Sequence, residues 1–405
     1  MRLLKVKSLD EGRKLLVELM ESLNFKKEKE VSLEEALGYI LAEDLLAQED
    51  IPAFNRSTVD GFALKSSTTM GAGDGLPTML KIVEDVAMGQ VPKKSIKPGQ
   101  ASKVMTGGML PRGADAMIMV EETETMGGDL LAVYKPARAY DHVVEIGDDC
   151  KKGDIVFSKG KKITPKVIAS CASLGYANLK VFVPLTVRIV STGDELVAPG
   201  EKVAPGMTRD VNSYALEGLC KNLGFEVLGK THARDEKEEI EKTLRQEADI
   251  FLISGSSSQG DKDYLAEIVS KFTPGLIFHG LSLKPGKPTI LASNGKSVFL
   301  GLPGHPVSSY IVFKALLEES LRDFYGLEEA LYTQAYLAHN MATTPGRTTY
   351  QPVRLEREEE GLWAHPIFGA SGNLSVLAGA DGYFILEDKE EGAVRKDLVK
   401  VYFLD

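Results

Sequence analysis

Five stretches of this chain combine small residues with charged ones in a way that suits anion and metal chemistry. Thr192-Gly193-Asp194-Glu195 places two carboxylates behind a glycine, and Asp235 follows a later apolar run. Ser254-Gly255-Ser256-Ser257-Ser258 leads to Asp261 and Asp263. Lys284-Pro285-Gly286-Lys287 holds two ammonium groups apart with a turn-forming dipeptide, and Pro303-Gly304-His305-Pro306 closes a further apolar run. Backbone N–H groups of Ser and Gly ahead of a helix form an anion nest. Carboxylates beside such a nest can hold Mg²⁺, which takes one or two of them together with phosphate oxygens. The lysines add point charges for another anion. The ligand that fits is a phosphorylated or nucleotide-like molecule with Mg²⁺. Taken singly, each stretch also reads as turn chemistry; their combination carries the functional reading.

These residues need a scaffold that brings them to one place. From residue 186 the pattern alternates strand and helix. Strands are expected at 186–191, 225–230, 250–254, 276–278, 289–292 and 298–300, and helices at 211–223 and 236–247, the latter capped by Asp235 with Glu238. Pro306 opens a helix that runs to about Tyr325. This alternation predicts a three-layer α/β domain with a mostly parallel sheet, whose carboxyl strand ends share one edge. All five stretches adjoin strands of that sheet.

The rest of the chain is organised around it. Ser8-Leu9-Asp10-Glu11 is a capping box ahead of a helix with Leu15, Leu16, Leu19, Met20 and Leu23 on one face. Ser32-Leu33-Glu34-Glu35 repeats the box and predicts a short helix ending near Gly38. Residues 49–140 are β-rich, with Met126-Gly127-Gly128-Asp129 as a hairpin turn. Thr164-Pro165 starts a helix that ends at Gly175. The expected domains are a discontinuous N-terminal lobe (1–48 and 141–181), an inserted β domain (49–140), the α/β domain (182–326) and a C-terminal β domain (327–405).

Composition narrows the class. The chain has 405 residues, 43% apolar and 26% charged, as in soluble multidomain proteins. A net charge of −10 argues against non-specific nucleic-acid binding. Three cysteines without close spacing, the lack of a signal-peptide core and the lack of a membrane-length apolar run suit the cytoplasm and no membrane. His232, His279, His339 and His365 stand apart, without metal-ligand spacing. No nucleophile elbow, Walker A loop or Rossmann fingerprint occurs. Two clusters outside the α/β domain, Pro52 to Ala63 with Asp60, and Val104-Met105-Thr106-Gly107-Gly108 with Pro111-Arg112-Gly113-Ala114-Asp115, read equally as turns or as function.

Five collinear blocks (52–63, 105–122, 147–175, 191–196 and 254–306) make the chain resemble the molybdopterin molybdenumtransferase family, of the MoeA and gephyrin E-domain type, over nearly its whole length. The resemblance implies an elongated homodimer of four-domain subunits. Each has a discontinuous first domain, a β insertion, a molybdopterin-binding α/β domain and a C-terminal β-barrel. It implies Mg²⁺-dependent insertion of molybdate into adenylylated molybdopterin with release of AMP, at a cleft built from the third domain of one subunit and the second of its partner. Carried over by position, the catalytic set is Asp60, Thr106, Asp149, Glu195, Asp235 and Asp263, with Asp235 and Asp263 as Mg²⁺ ligands. Ser258, Lys284, Lys287, Pro303, His305 and Pro306 fall at substrate-binding positions, the lysines at those associated with molybdate.

The chain departs from the family pattern at several of these places. His142-Val143-Val144 replaces Asn-Ile-Arg, Ser254 to Ser258 replaces Ser-Gly-Gly-Val-Ser, and His305 replaces an asparagine. Pro352 falls where an arginine is common, with Arg354 nearby, and Ala380-Asp381-Gly382 replaces Ala-Asn-Gly. Two alternatives follow from these departures: a paralogue that inserts another oxyanion such as tungstate, and a non-catalytic scaffold.

Overall fold

The computed structural model describes residues 6–255 and 264–404 and divides into two compact units. One comprises Met1–Glu43, Lys159–Ile168 and Asn178–Asp405; the other comprises Asp44–Ser158 and Ala169–Ala177.

The first unit is built on a sheet of six strands in the order Glu226–Ala233, Thr186–Thr192, Ile250–Ser254, Val298–Leu302, Ile290–Ser293, Gly275–His279. The first four run parallel, and Ile290–Ser293 is antiparallel to both of its neighbours. Ile250–Ser254 and Val298–Leu302 are buried at every residue, which their unbroken apolar runs require of strands covered on both faces. Alternate residues feed two cores. Ile189, Leu252 and Leu300 pack with Leu216 and Ile311, while Val190, Ile253 and Phe299 pack with Ile240 and Ile268. Helices therefore cover both faces, as the alternating pattern predicts.

The Leu9–Ser22 helix starts as its sequence dictates. Ser8 Oγ accepts the Glu11 N–H at 3.2 Å, and the Glu11 carboxylate accepts the Ser8 N–H at 3.0 Å. Arg13 on this helix donates to the Ala315 carbonyl at 2.7 Å and to the Tyr350 hydroxyl at 2.8 Å. Ala315 lies in a π-helical segment, Phe313–Glu318, within the helical run that Pro306 opens and Tyr325 ends ahead of Gly326 (φ 70°). Thr164-Pro165 and Gly175 likewise bracket the Pro165–Ser173 helix.

Two expectations fail here. Ser32 does not cap a helix: it ends the Glu28–Ser32 strand, paired opposite Asn178, and tight turns follow to Gly38. Strand pairing on one side and a bridge at Ile40 on the other leave too few residues for a helix. The Lys237–Leu244 helix has Glu236, not Asp235, at its N-cap, with no side-chain cap bond.

The C-terminal strands close on themselves. Thr348–Glu358, Gly361–Pro366, Tyr332–Leu337, Leu398–Phe403 and Gly382–Leu386 form a ring, because Thr348–Glu358 pairs with both Gly361–Pro366 and Gly382–Leu386. Ala335, Val353, Ala364, Phe384 and Val401 fill this five-stranded barrel. The short Leu283–Lys284 strand, from the α/β sheet's edge loop, adds to it in parallel.

The second unit holds a mixed six-stranded sheet in the order Ala116–Met119, Gly61–Leu64, Gln100–Val104, Thr78–Val86, Leu130–Val133, Thr123–Thr125. Gly127 (φ 73°) and Gly128 (φ 63°) form the central pair of the expected hairpin turn, where both positions need positive φ.

Candidate active site

The strand register sets the first group of residues level. Thr192 pairs with Ala233, Ser191 with Ser254, and Ser254 with Leu302, so the turns that follow leave one edge of the sheet. At the first turn, Gly193 carries its carbonyl to His232 Nε2 at 2.8 Å, and the Glu195 carboxylate folds back against Gly193. The Asp235 N–H donates to Asp194 Oδ1 at 3.3 Å. Glu195 and Asp235, predicted from separate strand ends, thus lie on adjacent turns joined by Asp194. All the acidic atoms there are hard oxygen donors, the set that suits Mg²⁺.

At the next strand end only glycine serves. Gly255 has φ 100°, and a Cβ there would sit 2.3 Å from the Thr192 carbonyl oxygen. Ser258 and Asp263, with Ser256, Ser257 and Asp261, lie outside the described residues.

Lys284 and Lys287 belong to the same edge. His279 pairs with Ile290 and Ile290 with Gly301, so the connection between these strands, which carries both lysines, leaves level with the 303–306 turn. The Lys287 carbonyl accepts N–H bonds from Leu281 and Thr289, each 2.9 Å. Gly286 packs so close that a Cβ would meet Val312 at 2.5 Å. The turn is therefore braced while its cations are not engaged: among the described residues neither lysine makes an ion pair. Pro303 is buried and Pro306 takes the first helical position. His305 is the N-cap residue but makes no cap bond; its Nδ1 instead meets Ser371 Oγ at 2.7 Å.

Three participants escape the sequence reading. Asn212 Nδ2 donates to Ser254 Oγ at 2.6 Å and to the Gly304 carbonyl at 2.8 Å, tying two turns together. Asp210 accepts from Ser191 Oγ at 2.7 Å and from the Ser213 N–H at 3.1 Å. Ser371, from the barrel segment, holds His305. The Asp210-Val211-Asn212-Ser213 run ahead of a helix was a usable signal for the first two; nothing local marked Ser371.

The second group lies in the other unit. Asp60 Oδ1 accepts both the N–H and the hydroxyl of Thr106, each at 2.7 Å. The Thr106 N–H first, and then its hydroxyl, hold the Asp60 carboxyl below the usual range. Gly61 permits this arrangement, because a Cβ there would lie 1.9 Å from the Ile118 carbonyl oxygen. The segment from Ile51 to Asp60 is a hub. The Asp149 N–H bonds to the Ile51 carbonyl at 3.0 Å, the Ile146 N–H to Asn55 Oδ1 at 3.0 Å and the Gly107 N–H to the Ser57 carbonyl at 2.8 Å. Asp60, Thr106 and Asp149 are exposed on loops joined to this one segment.

The departures also find places. His142 sits at φ 56°, a conformation that asparagine adopts more readily. Arg354 is paired with Glu356. His365, expected to stand alone, is 3.2 Å from Glu358 and 3.6 Å from Glu356, because the hairpin register places all three on one face.

Residues 7–175 match the model of the MoeA N-terminal region (domains I and II), 188–323 that of a probable molybdopterin-binding domain, and 334–404 that of the MoeA C-terminal region (domain IV). A molybdopterin molybdenumtransferase of Staphylococcus aureus is 34% identical over 369 residues, spanning 89% of this chain and 88% of the relative. That of Staphylococcus epidermidis is 31% identical over 379 residues, spanning 92% and 90%. The crystal structure of a molybdopterin biosynthesis MoeA protein from Pyrococcus horikoshii superposes with a TM-score of 0.80 at 29% identity, covering 98% of this chain and 100% of that one.

Proposed function

The chain belongs to the MoeA family, and from that premise we propose that it is a molybdopterin molybdenumtransferase. In this reading it inserts molybdate into adenylylated molybdopterin and releases AMP with Mg²⁺. The observation that carries the reading is the braced Lys284–Lys287 turn, level with the carboxyl strand ends and with both ammonium groups free of ion pairs among the described residues. Molybdate is a dianion, and two fixed cations at the mouth of the sheet neutralise it without reorganising.

The remaining residues take roles that suit their atoms. Pro303 and Pro306 hold the 303–306 turn rigid where the pterin nucleotide docks, and His305 offers its ring there. Ser258 is assigned to the same substrate. Asp235, with Asp263, would hold Mg²⁺, and Glu195 is carried on the turn beside that of Asp235. Bound Mg²⁺ supplies Lewis-acid polarisation of the phosphoanhydride. Asp60 and Asp149 accept hydrogen bonds from substrate donors, with Thr106 fixing the Asp60 carboxylate. We further propose a cytoplasmic homodimer in which residues of two subunits serve one substrate.

Incubation with adenylylated molybdopterin, Mg²⁺ and molybdate tests the reading, with AMP and metal-loaded cofactor as readouts. Turnover with tungstate alone would favour the paralogue alternative, and turnover with neither oxyanion would refute the enzyme reading.

A further inference from the structure

Arg56 is a cation that the preceding roles leave unused. It lies on the short Arg56–Ser57 strand inside the hub that bonds to the loops carrying Thr106 and Asp149. Its backbone bridges Met109 on one side and pairs with Val144 on the other. Cross-strand partners project to the same face of a ladder, so Arg56 is flanked there by two apolar residues. It is exposed, and among the described residues its guanidinium has neither an ion pair nor a hydrogen-bond partner. The adjoining loop carries Glu145, Asp148 and Asp149, all exposed. A permanently charged, planar, five-donor group with apolar flanks, next to a wall of carboxylates, is suited to an incoming oxyanion that the carboxylates alone would repel.

We propose that Arg56 binds the diphosphate oxygens of the adenylylated pterin, doing from one strand what an arginine at position 144 would do from the paired strand. This rests on the functional reading above and assigns it a residue. Val144 lies directly opposite Arg56 in the antiparallel register, so a fork mounted at either position starts from the same face.

The register supplies the test. Affinity for adenylylated molybdopterin with Mg²⁺ is measured by equilibrium dialysis for the parent chain, R56V, R56K and the swap R56V/V144R. The expected result is about tenfold or weaker binding for R56V, with a shallower dependence on salt, and a smaller loss for R56K, which keeps charge but not the fork. The swap is expected to recover most of the affinity. A merely structural role for Arg56 would not be restored from the other strand. Parental affinity in R56V, or a swap as weak as R56V, overturns the proposal. If R56V does not fold, R56K decides, and parental affinity there overturns it. A parent chain that binds no adenylylated molybdopterin instead overturns the functional reading beneath it.

Discussion

Replacing Asn212 with alanine removes the clamp between two turns of the sheet edge. Asn212 Nδ2 makes bonds of 2.6 Å to Ser254 Oγ and 2.8 Å to the Gly304 carbonyl, and Asn212 itself is only 9% exposed. Each intramolecular bond contributes about 1 kcal/mol, and leaving the buried Ser254 hydroxyl without its donor adds about 1 kcal/mol more. The ends of the Ile250–Ser254 and Val298–Leu302 strands therefore open more easily by about 2–3 kcal/mol, or roughly 30- to 150-fold in population. Native-state hydrogen exchange reads this directly: amides at 252–254 and 300–302 exchange faster by that factor, while those of the Leu9–Ser22 helix do not. N212D should be worse than N212A, because a carboxylate would face the Gly304 carbonyl where a donor now sits. Unchanged protection at the strand ends in N212A would refute the claim that this side chain holds the turns together.

Other consequences are open to single experiments. G61A forces a methyl group into the Ile118 carbonyl and should cost about 3 kcal/mol or more, seen as a lower unfolding midpoint. T106V removes one of the two bonds that depress the Asp60 pKa. The carboxyl should then titrate closer to its ordinary value by NMR. Because that pKa is lowered in the fold, the stabilising contribution is present above the ordinary carboxylate range and is lost as pH falls through the folded value; in T106V, whose folded value lies closer to the ordinary one, the contribution should be smaller and its loss complete at a higher pH. K284A and K287A should each raise the molybdate concentration needed for half-maximal rate by about tenfold, with less effect on nucleotide binding. An equal loss for both substrates would contradict the assignment of the lysines to the oxyanion.

What was legible in the sequence was local. The apolar runs at 250–254 and 298–300 could be read as covered strands, and small residues after them marked the edge where ligands collect. The Ser8–Glu11 box worked because both of its bonds close within three residues. The matching pattern at Ser32 failed because pairing with Asn178 took those residues into a ladder, a decision made by partners far along the chain. Asn212 and Ser371 were missed for the same reason. Their partners lie 42 to 92 and 66 positions away, and only tertiary register brings them together. The resemblance supplied what spacing could not, namely the expectation that Asp60 and Thr106 act together at the site. The Asp60–Thr106 bonds give that pairing a physical form: a carboxylate kept ionised by a neighbour that holds it in place.

The central claim is that the braced lysine turn delivers an oxyanion to an adenylylated pterin. A single-turnover experiment addresses it most directly, with enzyme in excess over adenylylated molybdopterin and with AMP and cofactor-bound molybdenum quantified from the same samples. The account predicts that AMP and loaded cofactor appear together in the parent chain, and that the K284A/K287A double variant loses molybdenum loading while still binding the nucleotide. Parent protein that releases no AMP and loads no metal, or a double variant that loads molybdenum as the parent does, would contradict it.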